Sequence, residues 1–322
     1  MNQSYLPEGI LLGRPENREY ISSVAGLERA MHEGKILEST VLLCDSALRL
    51  HVDLYGVCGI IPREEAVYAP GGEEIKDIAV ITRVGKPVCF KVLSVTRENG
   101  KVTAILSRRA AQMECSRNYH SSLIPGDIIP AKVTHLENFG AFVDIGCGIS
   151  SLLSVDSISV SRISHPSDRL RVGDFIHTVI KTMDRENGRI FVSMRELLGT
   201  WLENAAAFEA GQTVAGIVRS IESYGVFVEL APNLAGLAEL RPGTHDCDIA
   251  TVGQYVAVYI KSILAERMKI KLVLIDSYKG ERPSAALRYY IDCEKVRHLD
   301  RWQYSPPDCT KRIESVFSAP VL

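Results

Sequence analysis

The chain has no Cys-x-x-Cys pair. Its eight cysteines (44, 58, 89, 115, 147, 247, 293 and 309) are scattered and the nearest two lie 14 positions apart, which excludes zinc-ribbon and dithiol-redox spacing. Buried thiols in a reducing compartment are expected instead. Neither GxGxxG nor GxxxxGK followed by Ser or Thr occurs, and no carboxylate cluster or nucleophile motif stands out, so neither an enzyme nor a cofactor or metal site is expected. No window approaches 18 uncharged apolar residues, and the opening MNQSYLPEGILLGRPENREY lacks a basic region before its short apolar run, so a soluble, cytoplasmic protein is expected, with no membrane partner and no small-molecule substrate. Excess charge is also missing. A formal net charge of -2 gives no general pull toward nucleic acid, so any such binding must come from local cations and stacking. What remains is 322 residues with 46% apolar and 24% charged side chains, enough for several globular modules.

Within that length the chain repeats itself. GDIIPAKVTHLENFGAFVDIG at 126–146 and GQTVAGIVRSIESYGVFVELA at 211–231 align without a gap; Gly126 to Gly211, Gly140 to Gly225 and Phe142 to Phe227 are each 85 positions apart. The apolar set Ile129, Ala131, Val133, Leu136 recurs as Val214, Gly216, Val218, Ile221. A second half recurs three times: VGKPVCFKVLSVTRENGKVTAILSRR from 84, VGDFIHTVIKTMDRENGRIFVSMRE from 172 and VGQYVAVYIKSILAERMKIKLVL from 252. The spacing between copies drifts by a few residues, as loops absorbing insertions would allow.

Inside each unit apolar residues alternate with period two between Gly, Asp and Asn-Gly turn signals, the pattern of short antiparallel strands. The middle copy predicts five, near 127–136, 139–146, 151–155, 175–184 and 189–194. The fold class is therefore mainly β: three tandem five-stranded barrels at 36–109, 124–196 and 209–275, after a leader at 1–35 and before a small extension at 276–322. Helical spacing within 195–208 and over 110–118 predicts short linker helices between barrels.

In the second strand of the middle copy Val143 and Ile145 share one face, and Phe142 shares the other with Asp144. Period two alone would turn Phe139 inward; a bulge at Gly140 would swing it beside Phe142. Tyr224 and Phe227 stand at the matched positions of the third copy, with Phe227 on the parity of Glu229. Two exposed aromatic pairs make stacking platforms for single-stranded bases, each base worth roughly 1–3 kcal/mol. The plainer alternative is that they cap barrel ends or fill contacts between modules.

G-D-I-I-x-A-K-V, F-G-A-F-V-D-I-G, the R-V-G-D step and D-R-E-N-G-R-I resemble the ribosomal protein S-one RNA-binding domain family, over about residues 36–275. The resemblance implies five-stranded oligonucleotide-binding (OB) barrels that hold RNA through two aromatics, a His in the third strand, and an Asp and Arg around the last turn. Carried over, the aromatics fall on Phe139, Phe142, Tyr224 and Phe227, and the closing pair on Asp184 and Arg189. Asp184 could equally satisfy its own turn, and Arg189 be a surface cation. The family His falls on Ser154, and the third copy has Glu239 near that place, so that ligand is missing from both copies. In the third copy Leu264 stands at the Asp position and Lys269 at the Arg position. Lys132 and Arg219, on the first strands, complete the candidate RNA contacts.

The first copy differs. LRLHVDLYG at 48–56 predicts Leu48, Leu50, Val52 and Leu54 inward, and puts His51 where Phe142 stands and Leu48 where Phe139 stands, so the platform is absent. GIIPREEAV at 59–67 resembles the family's ribosome-docking domains, which implies that this copy binds protein, the small ribosomal subunit among the candidates. The extension interleaves Arg288, Tyr289, Tyr290, Lys295, Arg297, His298, Arg301, Trp302 and Tyr304, but with eight cations against seven acids it is expected to pack on the third barrel, with its last dozen residues loose after Pro306 and Pro307. The leading expectation is a single-stranded mRNA-binding protein of translation, with a free RNA-binding regulator and a protein-binding scaffold as alternatives.

Overall fold

The computed structural model describes residues 5–69, 75–185, 187–239, 251–278 and 287–317. Two helices come first, α1 (Pro15–Ile21) and α2 (Val24–Glu33). The Ser23 hydroxyl accepts the Gly26 N–H at 3.0 Å to cap α2, and Gly34 ends it at φ 64°, a conformation glycine adopts without strain. Leu27 and Ala30 of α2 are fully buried in the first core, so the expected leader is part of that module's packing.

Fifteen strands then close three five-stranded barrels. The first holds β1 (Leu37–Cys44), β2 (Leu50–Leu54), β3 (Val57–Ile61), β4 (Pro87–Glu98) and β5 (Lys101–Ser107), with helix α3 (Asp77–Ile81) between β3 and β4. After α4 (Arg108–Asn118) the second holds β6 (Ile128–Glu137), β7 (Gly140–Asp144), β8 (Ser150–Ser154), β9 (Phe175–Asp184) and β10 (Arg189–Ser193). After α5 (Trp201–Ala205) the third holds β11 (Thr213–Glu222), β12 (Gly225–Ala231), β13 (Leu234–Glu239), β14 (Tyr255–Leu264) and β15 (Lys269–Tyr278). In each, the third and fifth strands pair in parallel and all other neighbours are antiparallel. The five strands expected in the middle copy match these bounds within a few residues, because period-two alternation is a local signal.

Closing so small a sheet requires bends, and they fall at matched places. β1, β6 and β11 break register at Leu42, Thr134 and Arg219, and β4, β9 and β14 at Leu93, Lys181 and Lys261. Each bulge turns the long strand from one neighbour to the next. The inward sets are fully apolar: Val133, Ala141, Val143, Leu153, Ile180 and Val192 in the second barrel, Val218, Val226, Val228, Val256, Val258 and Ile260 in the third.

Two sequence expectations change. Leu48 does not belong to the second strand: β2 starts at Leu50, and Leu48 sits in the preceding turn with φ 59°. The extension packs on both barrels, not on the third alone. Trp302 and Tyr304 enter the third core, and Cys293, Leu299 and Phe317 pack on Ile128, Val179 and Leu197 of the second. Its strands β16 (Arg301–Gln303) and β17 (Glu314–Val316) pair with each other, so the stretch expected to be loose is ordered through Phe317; 318–322 lie outside the described residues, as do Lys279 and Arg282, which entered its charge count.

Candidate nucleic-acid interface

The β6–β7 hairpin positions the first aromatic pair. Glu137 pairs with Gly140, so Asn138 and Phe139 form the turn itself and Phe139 escapes strand parity. The expected bulge at Gly140 is not there; the strand bulges across the hairpin at Thr134. Gly140 serves close approach instead, since a Cβ would stand 2.5 Å from the Leu153 carbonyl oxygen. Phe139 is 55% exposed and its ring meets that of Phe142 edge to face, centroids 6.0 Å apart at 89°. In the third barrel Tyr224, 59% exposed, meets Phe227 at 6.1 Å and 88°. The structure thus brings both predicted pairs to the outside of their barrels in one geometry.

Neighbours that sequence reasoning missed widen these faces. His135 lies opposite Phe142 and stacks on it at 6.4 Å and 25°, its Nε2 2.8 Å from Glu137 Oε1. Across β8 and β10, Phe142 is followed in register by Leu152 and then Phe191, both half-buried. In the third barrel the same row reads Phe227, Leu237, Lys271. Lys181 and Lys261 occupy the matched bulges of β9 and β14 and are exposed. The signal was available, as Ile-Lys-Thr at 180–182 and Ile-Lys-Ser at 260–262 occupy equivalent places in the second-half repeat.

Arg189 is exposed opposite Asp184 on the β9–β10 turn, and Lys269 opposite Leu264 in the third barrel. Asp184 accepts the Asn187 backbone N–H at 3.1 Å and its side-chain amide at 2.7 Å, so it serves its own turn. Lys132 and Arg219 are not on the faces. Lys132 donates to the Glu8 carbonyl at 2.8 Å and lies over the Phe175 ring. The Arg219 side chain is buried, donating to Glu229 Oε2 at 2.7 Å and lying 3.2 Å from Asp168 Oδ2. Strand position alone could not reveal that neighbouring segments cover them.

Asp144 and Glu229 explain that cover. They lie 85 positions apart, one alternation beyond Phe142 and Phe227, and both are buried. Asp144 Oδ2 accepts the Glu8 N–H at 2.7 Å, and the Glu8 carboxylate is gripped by Arg108 of α4 at 2.7 and 3.1 Å. Burial, then the Glu8 charge, pushes the Asp144 carboxyl up; burial would raise Glu8 too, but Arg108 outweighs it and holds Glu8 down. Glu229 is clasped by Arg219 and by Arg169 of the second module. The acid on the second strand is an inter-module tie in both barrels, not part of a solvent-facing polar row.

On the first barrel the equivalent row is His51, Ile60, Ile105, flanked by Leu42, Leu43 and Leu93, the last three 58%, 47% and 47% exposed. That face is aliphatic where the others are aromatic and cationic. His51 Nε2 is engaged 3.0 Å from Asp45.

The S1 RNA binding domain model matches residues 122–195, the second barrel. Small ribosomal subunit protein bS1 of Staphylococcus aureus (strain COL) is 30% identical over 231 residues, 70% of this chain and 56% of the relative. The bS1 protein of Rhodopseudomonas palustris (strain ATCC BAA-98 / CGA009) is 30% identical over 234 residues, 69% of this chain and 40% of its own. The chain thus spans about half the length of the curated relatives it matches. A solved multidomain protein with nucleic acid binding domains from Streptococcus pneumoniae is 15% identical, covering 77% of this chain and 76% of its own, with a TM-score of 0.23. The chain is a homologue of the bacterial bS1 ribosomal proteins, and its second barrel carries an S1 RNA binding domain.

Proposed function

We propose that this chain is a cytoplasmic, non-enzymatic protein of translation, built from three tandem OB repeats, that binds single-stranded RNA on its second and third barrels. The observation that carries the reading is the recurrence of one exposed, edge-to-face aromatic pair at 6.0 and 6.1 Å. Chance exposure would not reproduce an aromatic pair at the same turn and with the same interplanar angle 85 positions apart. Bases stack on Phe142 and Phe227, the rings of Phe139 and Tyr224 fix the edges of each platform, and Lys181, Arg189, Lys261 and Lys269 take phosphates. The first barrel, lacking the aromatic pair and carrying Leu93 where the others carry Lys181 and Lys261, docks on protein, with the small ribosomal subunit as the partner that the relatives' names suggest.

Fluorescence anisotropy with an unstructured RNA of about a dozen nucleotides tests the reading. Wild type is expected to bind in a salt-sensitive way, and Phe139→Ala, Phe142→Ala, Tyr224→Ala, Phe227→Ala combined to abolish binding while circular dichroism stays unchanged. Undiminished binding by the variant overturns the platform. Co-sedimentation with small subunits separates a ribosomal protein from a free RNA-binding regulator, and salt-insensitive behaviour would bring the protein scaffold forward.

A further inference from the structure

One cleft is unused by the aromatic faces. It lies between the first barrel with α4 and the second barrel, and its volume of about 750 Å³ is within the roughly 300–1,000 Å³ usual for ligand sites. Tyr68, Arg83 and Ser121 line it from one side, and Ser150, Arg185 and Arg189 from the other. Among the described residues none of the three arginines has an ion pair, and the buried Arg83 Nε has no hydrogen-bond partner. Glu8 and Asp144 act on the Arg83 charge, but its buried Nε donor stays unmatched, and four arginines (83, 108, 185 and 189) line the cleft against the carboxylate of Asp184, so the cleft favours an anion.

The strand registers say which anion reaches it. On the outer face of the second barrel Phe142 pairs with Leu152, which pairs with Phe191. One alternation along the same strands, Asp144 pairs with Ser150, and Arg189 precedes Phe191 by two residues. That step is about 7 Å, one nucleotide's reach, and it leads from the rings into the cleft. The end of the face that opens there is the end where Asp144 ties the first barrel's neighbour Glu8.

We infer that this cleft takes the sugar-phosphate backbone of the same RNA strand as it leaves the aromatic face of the second barrel. The inference rests on the RNA-binding reading above. Arg189 and Arg185 receive the first phosphates beyond the platform, and Arg83 receives the next at the cleft floor, where planar guanidinium groups match phosphate oxygens two at a time. Low-dielectric walls on both sides strengthen these pairs relative to open surface, and the half-buried Tyr68 ring offers a base a further stacking face.

The test uses the full chain carrying Tyr224→Ala and Phe227→Ala, so that the third barrel's platform adds nothing, and labelled oligouridylates of about six and about fourteen nucleotides, near the two ends of the range for one barrel's site. This background is expected to bind the longer RNA at least ten-fold more tightly. Arg83→Gln combined with Arg185→Gln is expected to leave the Kd for the shorter RNA within two-fold and to remove that gain, with the slope of log K against log salt for the longer RNA shallower by about 1.4, two contacts at roughly 0.7 each. Arg185→Glu alone, on an exposed turn where folding is indifferent to it, is expected to lose the gain as fully. A gain that survives these substitutions overturns the cleft while leaving the platform standing. Failure of wild type to bind either length overturns both.

Discussion

A stacking side chain has to be held in place and yet left bare. Phe142 meets both conditions: its edge faces Phe139, His135 lies nearly parallel to it, and its ring stays half-exposed on the barrel. Phe142→Ala is expected to weaken RNA binding by roughly 5- to 150-fold, the equivalent of about 1–3 kcal/mol for one base, with an unchanged unfolding midpoint in urea. Arg219→Ala should behave oppositely. Its guanidinium is buried against Glu229 and Asp168, where breaking a pair costs on the order of 3 kcal/mol, so thermal stability is expected to fall while the RNA affinity of the folded fraction stays put. Loss of RNA affinity without loss of stability would return Arg219 to the interface. The two residues show what a sequence can and cannot display. Phe142 was legible because its parity and repeat are local, whereas Arg219 stands on a strand that looks exposed in sequence and is buried against Glu229 and against Asp168 from another module.

At the scale of elements, turns and bulges decide more than strand parity. Phe139 reaches the face because it belongs to the β6–β7 turn, and the bulge that sequence reasoning placed at Gly140 lies at Thr134 on the facing strand. Which strand of a hairpin takes the extra residue depends on barrel closure, a property of all five strands together. The leader is a second case. Its segment at Gly9–Leu12 is latched to β1 by Glu38, which accepts the N–H groups of Gly9, of Leu11 at 2.6 Å and of Leu12 at 3.0 Å. Burial pushes the Glu38 carboxyl from 4.5 up to about 7 against those donors. Below 4.5 it is neutral in folded and unfolded chains alike; between 4.5 and 7 the folded chain keeps a proton that the unfolded chain has released. Stability from this group therefore declines as pH rises through that window. Glu38→Gln is neutral at every pH, so the stability of wild type relative to it is expected to fall by about 2–3 kcal/mol between pH 5 and pH 8 in urea titrations. A pH-independent difference would mean that the three donors, not burial, govern the carboxyl.

Across the whole molecule the same strand position does two jobs. Phe142 and Phe227 look outward to a ligand, while Asp144 and Glu229, one alternation away, tie each barrel to the module before it. No sequence window could show the second job, because Glu8 is 136 positions from Asp144 and Arg169 is 60 from Glu229. The net charge of -2 removes any long-range contribution from the chain as a whole, and many surface cations away from the faces, such as Arg29, Arg63 and Arg301, are already held in ion pairs. The salt dependence of binding therefore counts only local phosphate contacts. With the cleft silenced by Arg83→Gln and Arg185→Gln, Lys181, Arg189, Lys261 and Lys269 on the two faces are expected to give a dozen-nucleotide RNA a slope of about -3 in log K against log salt, four contacts at roughly 0.7 each. Lys181→Gln together with Lys261→Gln should bring it to about -1.4 while the stacking component, read as affinity extrapolated to high salt, is retained. A wild-type slope near zero would place the binding energy in protein-like apolar contact, and the aromatic pairs would then be docking sites of the same kind as the aliphatic face of the first barrel.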